Sequence, residues 1–136
     1  MSNSKKEKLI EKAKLAKDNA YVPYSNFPLG AAVLTEDDNI YSGCNIENAS
    51  YGLSNCAERT ALFKAISEGE KNFKKLVLVT DRKKPVTPCG ACRQVINEFG
   101  DDIEVIMIGK NGREKSCLSG ELLPGFFRQE DMEDDI

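Results

Sequence analysis

The chain contains no histidine, no tryptophan and no long apolar run. Without histidine, proton transfer near neutral pH falls to a carboxylate, a thiol or a metal-bound water. No stretch approaches the roughly 20 apolar residues that cross a bilayer, so no transmembrane helix is expected. The opening segment, MSNSKKEKLIEKAK, also lacks the apolar centre of a signal peptide. The expectation is a soluble, cytoplasmic protein with no membrane partner. Positive charge is in short supply as well: 19 Lys and Arg face 22 Asp and Glu, a formal net charge of −3. No bulk field draws in a polynucleotide, so long nucleic acid is not an expected partner. Five cysteines, an odd number without a secretion signal, argue against a disulfide scaffold. Their role is packing, redox chemistry or metal binding.

Apolar residues fill 40% and charged residues 30% of the 136 positions, an ordinary globular balance. The length suits one compact domain over residues 1–136. From Ser4 to Ala20, Leu9, Ile10, Ala13, Ala16 and Ala20 recur at helical spacing, which predicts an amphipathic surface helix with its lysines solvated. Tyr21 to Pro28 holds two prolines and reads as a connector. Leu29–Leu34 and Ile40 to about Asn45 flank the polar turn Thr35–Asn39 and predict a hairpin. After the turn-rich Tyr51–Asn55, Ala57, Ala61, Leu62, Ala65 and Ile66 keep one helical face up to Gly69. Leu76–Val79 and Ile103–Ile108 are apolar almost throughout, the pattern of strands covered on both faces. Cys92, Val95, Ile96 and Phe99 lie between them at helical spacing, so these two strands should run parallel through a right-handed crossover. A weaker strand is expected at Arg113–Cys117, a short helix at 118–123, and a frayed acidic tail from about 130. The fold class is therefore α/β: three layers, α/β/α, around a mixed central sheet of roughly five strands.

Two short segments concentrate the chemistry: Cys56-Ala-Glu-Arg59 and Pro88-Cys-Gly-Ala-Cys92. Cys89 and Cys92, three apart at a predicted helix start, place both thiols on one face of the first turn. Cys56 also falls at a helix start. Positions 56 and 58 point about 200° apart inside a regular helix, so Cys56 and Glu58 converge only if Cys56 is the cap. Both helices begin at the edge where strands of an open sheet end, which is where such folds collect their sites. A helix N-terminus also favours thiolate over thiol. Three thiolates with a fourth position open suit zinc, and Glu58 beside that position would be its acid or base. Other assignments stay open at this point. Cys44 or Cys117 could close the metal into an inert structural site of a binding module. Cys89 and Cys92 could form a redox pair, and Arg59 a surface salt bridge. Cys44 and Cys117 otherwise read as small buried residues.

With their surroundings, these residues resemble the zinc nucleoside deaminase signature. Pro23-Tyr-Ser25, Phe27-Pro-Leu-Gly-Ala31, Gly43-Cys-Asn-Ile-Glu-Asn-Ala49, Cys56-Ala-Glu-Arg-Thr-Ala61, Cys92-Arg-Gln94 and Leu122-Leu-Pro-Gly125 narrow the resemblance to the cytidine deaminase family. It runs from about residue 9 to 127. The all-cysteine metal set is similar to the small, homotetrameric branch of that family. The resemblance implies zinc on Cys56, Cys89 and Cys92, and hydrolysis of cytidine and 2′-deoxycytidine to uridine products and ammonia, a step of pyrimidine salvage. It implies that Glu58 shuttles the proton and that Arg59 donates hydrogen bonds to cysteine thiolates. Asn45 and Glu47 would hold the ribose 3′-hydroxyl, Phe27 would pack against the pyrimidine, and the Ala57 main chain would read the base. Phe127 would close the pocket from a neighbouring subunit, with the adjacent Phe126 as the other candidate. The nearest enzymatic alternative is deamination of a related aminopyrimidine nucleoside such as blasticidin S.

Overall fold

The computed structural model describes residues 2–132. Helix α1 (Ser2–Lys17) leads into a hairpin of β1 (Leu29–Thr35) and β2 (Ile40–Cys44), followed by α2 (Ala57–Ser67) and β3 (Phe73–Thr80). Helix α3 (Gly90–Glu98) then carries the chain to β4 (Glu104–Ile108), β5 (Glu114–Leu118) and the one-turn α4 (Ser119–Leu122). The five strands form one sheet in the order β2-β1-β3-β4-β5. Strand β1 is antiparallel to β2 and β3, β3 and β4 are parallel, and β5 is antiparallel to β4. The expected hairpin, crossover and mixed sheet are all present.

Side-chain alternation divides the core into two layers. On one face Ala31, Val33, Leu76, Leu78, Val105 and Met107 pack against Ala57, Ala61, Leu62 and Ala65 of α2 and Ile96 of α3. On the other, Ala32, Leu34, Val77, Val79, Ile106 and Ile108 pack against Leu9 and Ala13 of α1. Each fully buried Leu or Ile contributes roughly 1.5–3 kcal/mol relative to exposure. Two glycines let the helices approach the hairpin closely. A Cβ on Gly30 would lie 2.0 Å from the Ala13 carbonyl oxygen, and one on Gly43 would lie 2.7 Å from the Ala61 nitrogen. The N-terminus of α2, which opens the candidate site, is thereby set directly on the hairpin.

The structure departs from sequence expectation in four places. Helix α1 ends at Lys17, so Ala20 lies beyond it. The Tyr21 N–H instead donates to the Asn45 carbonyl, which draws the chain onto the end of the hairpin. Strand β3 begins three residues earlier than the apolar run, at Phe73. There Lys74 and Lys75 pair with Asp38 and Glu104, so lysine stems occupy strand positions that hydropathy hides. Cys44 and Cys117 are half-buried rather than buried, because β2 and β5 are the edge strands. The acidic end forms a 3-10 turn over Gln129–Met132 instead of fraying from 130, and residues 133–136 lie outside the described residues.

Candidate metal and catalytic site

The first turns of α2 and α3 bring three thiols together. Cys56 caps α2 and Cys89 caps α3, both with extended backbone (φ −78°, ψ 155° and φ −66°, ψ 168°). Cap geometry is the condition under which Cys56 can share a site with Glu58. The Cys92 N–H donates to Cys89 Sγ at 3.4 Å, so a sulfur occupies the role usually taken by a capping oxygen. Cys89 Sγ lies 3.2 Å from Cys92 Sγ and 3.6 Å from Cys56 Sγ. All five cysteines are free thiols, and Cys44 and Cys117 stand apart from the cluster. Among the described residues no fourth thiol closes the site.

This donor set fits zinc. Thiolates about 2.3 Å from a tetrahedral zinc stand about 3.8 Å from one another, slightly wider than the spacings here. Three protein ligands also leave the fourth position that a catalytic zinc needs. The electrostatics favour the thiolate at Cys56 and the thiol at Cys92. The Cys92 thiol, and after it Arg59 and Cys89, bring Cys56 down to about 5 against the opposing effect of burial. Cys92, the donor of that pair, is pushed upward by Cys56 and by burial. The Arg59 guanidinium donates to Cys56 Sγ at 3.5 Å and forms no salt bridge among the described residues. It faces the thiols, not solvent acids.

Glu58 is 3% exposed, and its Oε1 has no hydrogen-bond partner. Burial, reinforced by the charge on Cys56, raises its carboxyl to about 7, with a main-chain N–H and Cys92 pulling the other way. A group titrating there both accepts and releases protons at neutral pH. Leaving a buried acceptor unpaired costs about 1–3 kcal/mol, so the chain maintains Glu58 here at the expense of stability. The cap itself is braced from the hairpin side. Ile46 and Asn55 exchange main-chain hydrogen bonds of 2.9 and 2.8 Å. The Asn55 amide donates to Thr60 Oγ1 at 3.0 Å, and that hydroxyl donates to the Cys56 carbonyl at 3.1 Å.

The remaining sequence candidates divide into two groups. Asn45 is buried, accepts from the Leu29 N–H and donates to the Phe27 carbonyl, both at 2.9 Å. Glu47 accepts from the N–H groups of Tyr24 (3.0 Å) and Ser25 (3.1 Å) and from the Ser25 hydroxyl. Both residues therefore pin the proline-containing connector, and with it Phe27, whose ring lies 4.1 Å below the Arg82 guanidinium carbon. Ala57 is buried at the first position of α2. The two phenylalanines behave oppositely: Phe126 is 8% exposed beneath Arg128, whereas Phe127 is 56% exposed. Arg93 carries no signal in the sequence beyond its place in the Cys92-Arg-Gln94 segment. Arg93 donates to the Pro88 carbonyl (2.8 Å), the Leu122 carbonyl (2.8 Å) and Thr87 Oγ1 (3.2 Å), which fixes the loop that presents Cys89.

The zinc-binding region shared by cytidine and deoxycytidylate deaminases matches residues 3–113. The chain belongs to this deaminase family. A cytidine deaminase of Sporosarcina psychrophila is 54% identical over 127 residues, 93% of each chain. The crystal structure of cytidine deaminase from Burkholderia pseudomallei is 48% identical, covers 89% of this chain and 98% of its own, and superposes with a TM-score of 0.86. A blasticidin-S deaminase of Bacillus cereus is more distant, 34% identical over 71% of this chain and 74% of its own. The α/β/α architecture is thus that of solved cytidine deaminases, and zinc is the metal for which this deaminase's three thiols are arranged.

Proposed function

We propose that this single-domain deaminase hydrolyses cytidine and 2′-deoxycytidine to the uridine nucleosides and ammonia, as a step of pyrimidine salvage in the cytoplasm. The observation that carries the reading is the nearly buried Glu58 carboxyl, its Oε1 without a partner, beside a three-thiol cluster with no fourth ligand among the described residues. Cys56, Cys89 and Cys92 would hold zinc, which would supply the acidity that makes a water nucleophilic near neutral pH. Glu58 does the proton work, as the corresponding glutamate does in zinc deaminases generally. It takes a proton from the attacking water and delivers it to ring N3. With the water oxygen bonded to C4, Glu58 takes the remaining proton from that 4-hydroxyl and passes it to the 4-amino group, so that the C4–N bond breaks, the C4 carbonyl forms and ammonia leaves. Arg59 offsets the excess negative charge of three thiolates over a divalent ion.

Substrate contacts follow from the segments already described. Asn45 Oδ1 accepts one hydrogen bond and the Glu47 carboxylate three, which leaves acceptor capacity for the ribose 3′-hydroxyl. A grip on that hydroxyl ignores the 2′ position, so both sugars are accepted. Phe27 packs against the pyrimidine and the Ala57 main chain reads the base. The protein works as a homotetramer in which Phe127 enters a neighbour's pocket. Exposed Tyr24, Ile46, Tyr51 and Leu53 around Glu47 support an assembly that covers this surface. No helix among the described residues is long and apolar enough to cross a membrane. Identity of 54% to a cytidine deaminase against 34% to a blasticidin-S deaminase favours cytidine as substrate. Ammonia release from cytidine, deoxycytidine and blasticidin S, measured with zinc content on one purified sample, tests the reading. Zinc-loaded protein that deaminates blasticidin S and neither nucleoside would overturn it.

A further inference from the structure

Gln94 stands two residues beyond Cys92 on α3, and its carboxamide holds the main chain of Phe127 at both polar groups. Its Nε2 donates to the Phe127 carbonyl at 2.8 Å, and its Oε1 accepts from the Phe127 N–H at 3.2 Å. A single side chain thus reproduces the paired contact that a neighbouring strand would make, and it fixes the position and direction of one residue. Around it no helix or strand covers residues 123–128, and the neighbouring N–H groups are held only locally, Phe126 by the Leu123 carbonyl (3.2 Å) and Arg128 by Asp131 Oδ2 (2.8 Å). Phe126 is anchored by burial, with the Arg128 guanidinium 4.2 Å above its ring. The Phe127 side chain is 56% exposed. The backbone of Phe127 is therefore held in place while its ring is offered outward.

We propose that Gln94 is a positioning residue: it sets the Phe127 ring for the substrate pocket of a neighbouring subunit. Because Gln94 shares α3 with Cys89 and Cys92, the helix that builds one chain's metal site also aligns the wall of its neighbour's pocket. The inference rests on the reading of Phe127 as a residue that acts in trans. Adjacent residues of α3 divide the labour. Arg93 turns inward to the loop before Cys89 and to the Leu122 carbonyl, and Gln94 holds the residue that leaves the chain's own surface.

The test is kinetic and uses the assembled enzyme. Gln94→Ala should raise KM for cytidine about tenfold, as expected when one or two hydrogen bonds are lost. Turnover at saturation, zinc content and assembled mass should stay close to those of the parent. If the alanine variant fails to fold, Gln94→Met keeps the side-chain length without the hydrogen bonds and is measured in its place. Differently tagged Gln94→Ala and Glu58→Gln chains are then combined, and mixed tetramers are isolated. In tetramers of one Gln94→Ala and three Glu58→Gln chains, the only working pocket belongs to a Gln94→Ala chain that receives Phe127 from a Glu58→Gln neighbour, so KM should return toward the parent value. A KM that stays raised in the mixture means that Gln94 acts on its own pocket, and it overturns the proposal. Phe127→Ala chains treated in the same way separate the two ideas. A raised KM for Phe127→Ala beside an unchanged one for Gln94→Ala overturns the role of Gln94 alone. An unchanged KM for both overturns the role of Phe127 as well.

Discussion

The two faces of the sheet are built differently. The face covered by α1 buries an apolar cluster that includes Leu9, Leu34, Val77, Val79 and Ile106, and it is edged by ion pairs of Lys5 with Asp38, Lys6 with Glu114 and Lys17 with Asp81. The face covered by α2 and α3 has a comparable apolar centre but also carries Glu58, Arg59 and Asn97. Each of these has a buried polar atom without a partner, and among the described residues no others do. Unsatisfied buried groups are destabilising, and two of the three, Glu58 and Arg59, adjoin Cys56 at the thiol cluster, where stability has been given up for chemistry. The α1 face supplies the compensating packing.

That contrast is broken most severely by Cys92→Ser. The variant should lose both bound zinc and deamination, whereas Cys44→Ser should keep both; metal analysis and an ammonia assay read the difference. Zinc retained by Cys92→Ser and lost from Cys44→Ser would reverse the assignment of the metal face. Next comes Glu58→Gln, which should cut turnover by about 10²–10⁴-fold, the usual contribution of a general acid and base. Its Tm should not fall, because the substitution removes an ionisable group from a buried position. A matching loss of stability would mean that Glu58 belongs to the scaffold.

On the opposite face the pattern should invert. Leu9→Ala should cost about 2–5 kcal/mol in denaturant unfolding, while KM and turnover of the folded fraction stay unchanged. A large kinetic defect would show that α1 reaches the site. The smallest effect is at the rim. Hydrogen bonds from Lys5 and Lys74 hold Asp38 at about 2, below its ordinary value of 3.8. A carboxyl depressed in the folded state adds stability above its unfolded pKa and loses it as pH falls through the folded one. Asp38→Asn should therefore be slightly less stable than the parent above pH 4, and the two should converge as acid titration approaches pH 2. Salt should shrink the gap, since the pairs are exposed.

Much of this architecture was legible from the chain alone because periodicity reports burial directly. Leu76–Val79 and Val105–Ile108 are buried on both faces, and the unbroken apolar character of each run indicates it. The placement of each thiol at a cap or first turn was legible because it is local geometry, whereas the meeting of Cys56 with Cys89 across 33 positions came from the family resemblance. Contacts between distant segments were not. Asn45 and Glu47 share a direction on an extended segment, yet nothing in their spacing indicates that they are bonded to residues 24–29. The amide of Gln94 meets Phe127 across 33 positions, a distance at which no local pattern survives. The end of α1 was misjudged for a related reason: Ala20 fits the helical stripe, but the pull of Tyr21 toward Asn45 is a tertiary effect.

The placement of the thiols also sets an order of events during synthesis. Cys56 precedes Cys89 by 33 residues, with all of β3 between them. When α1, the hairpin and α2 have left the ribosome, the cap of α2 already exists, but its sulfur has no companions. The second and third thiols arrive only with the crossover helix, whose parallel pairing is among the slower steps in folding because its contacts are non-local. The metal centre is thus completed late, and a nascent chain interrupted before α3 would hold half of the scaffold and none of the activity.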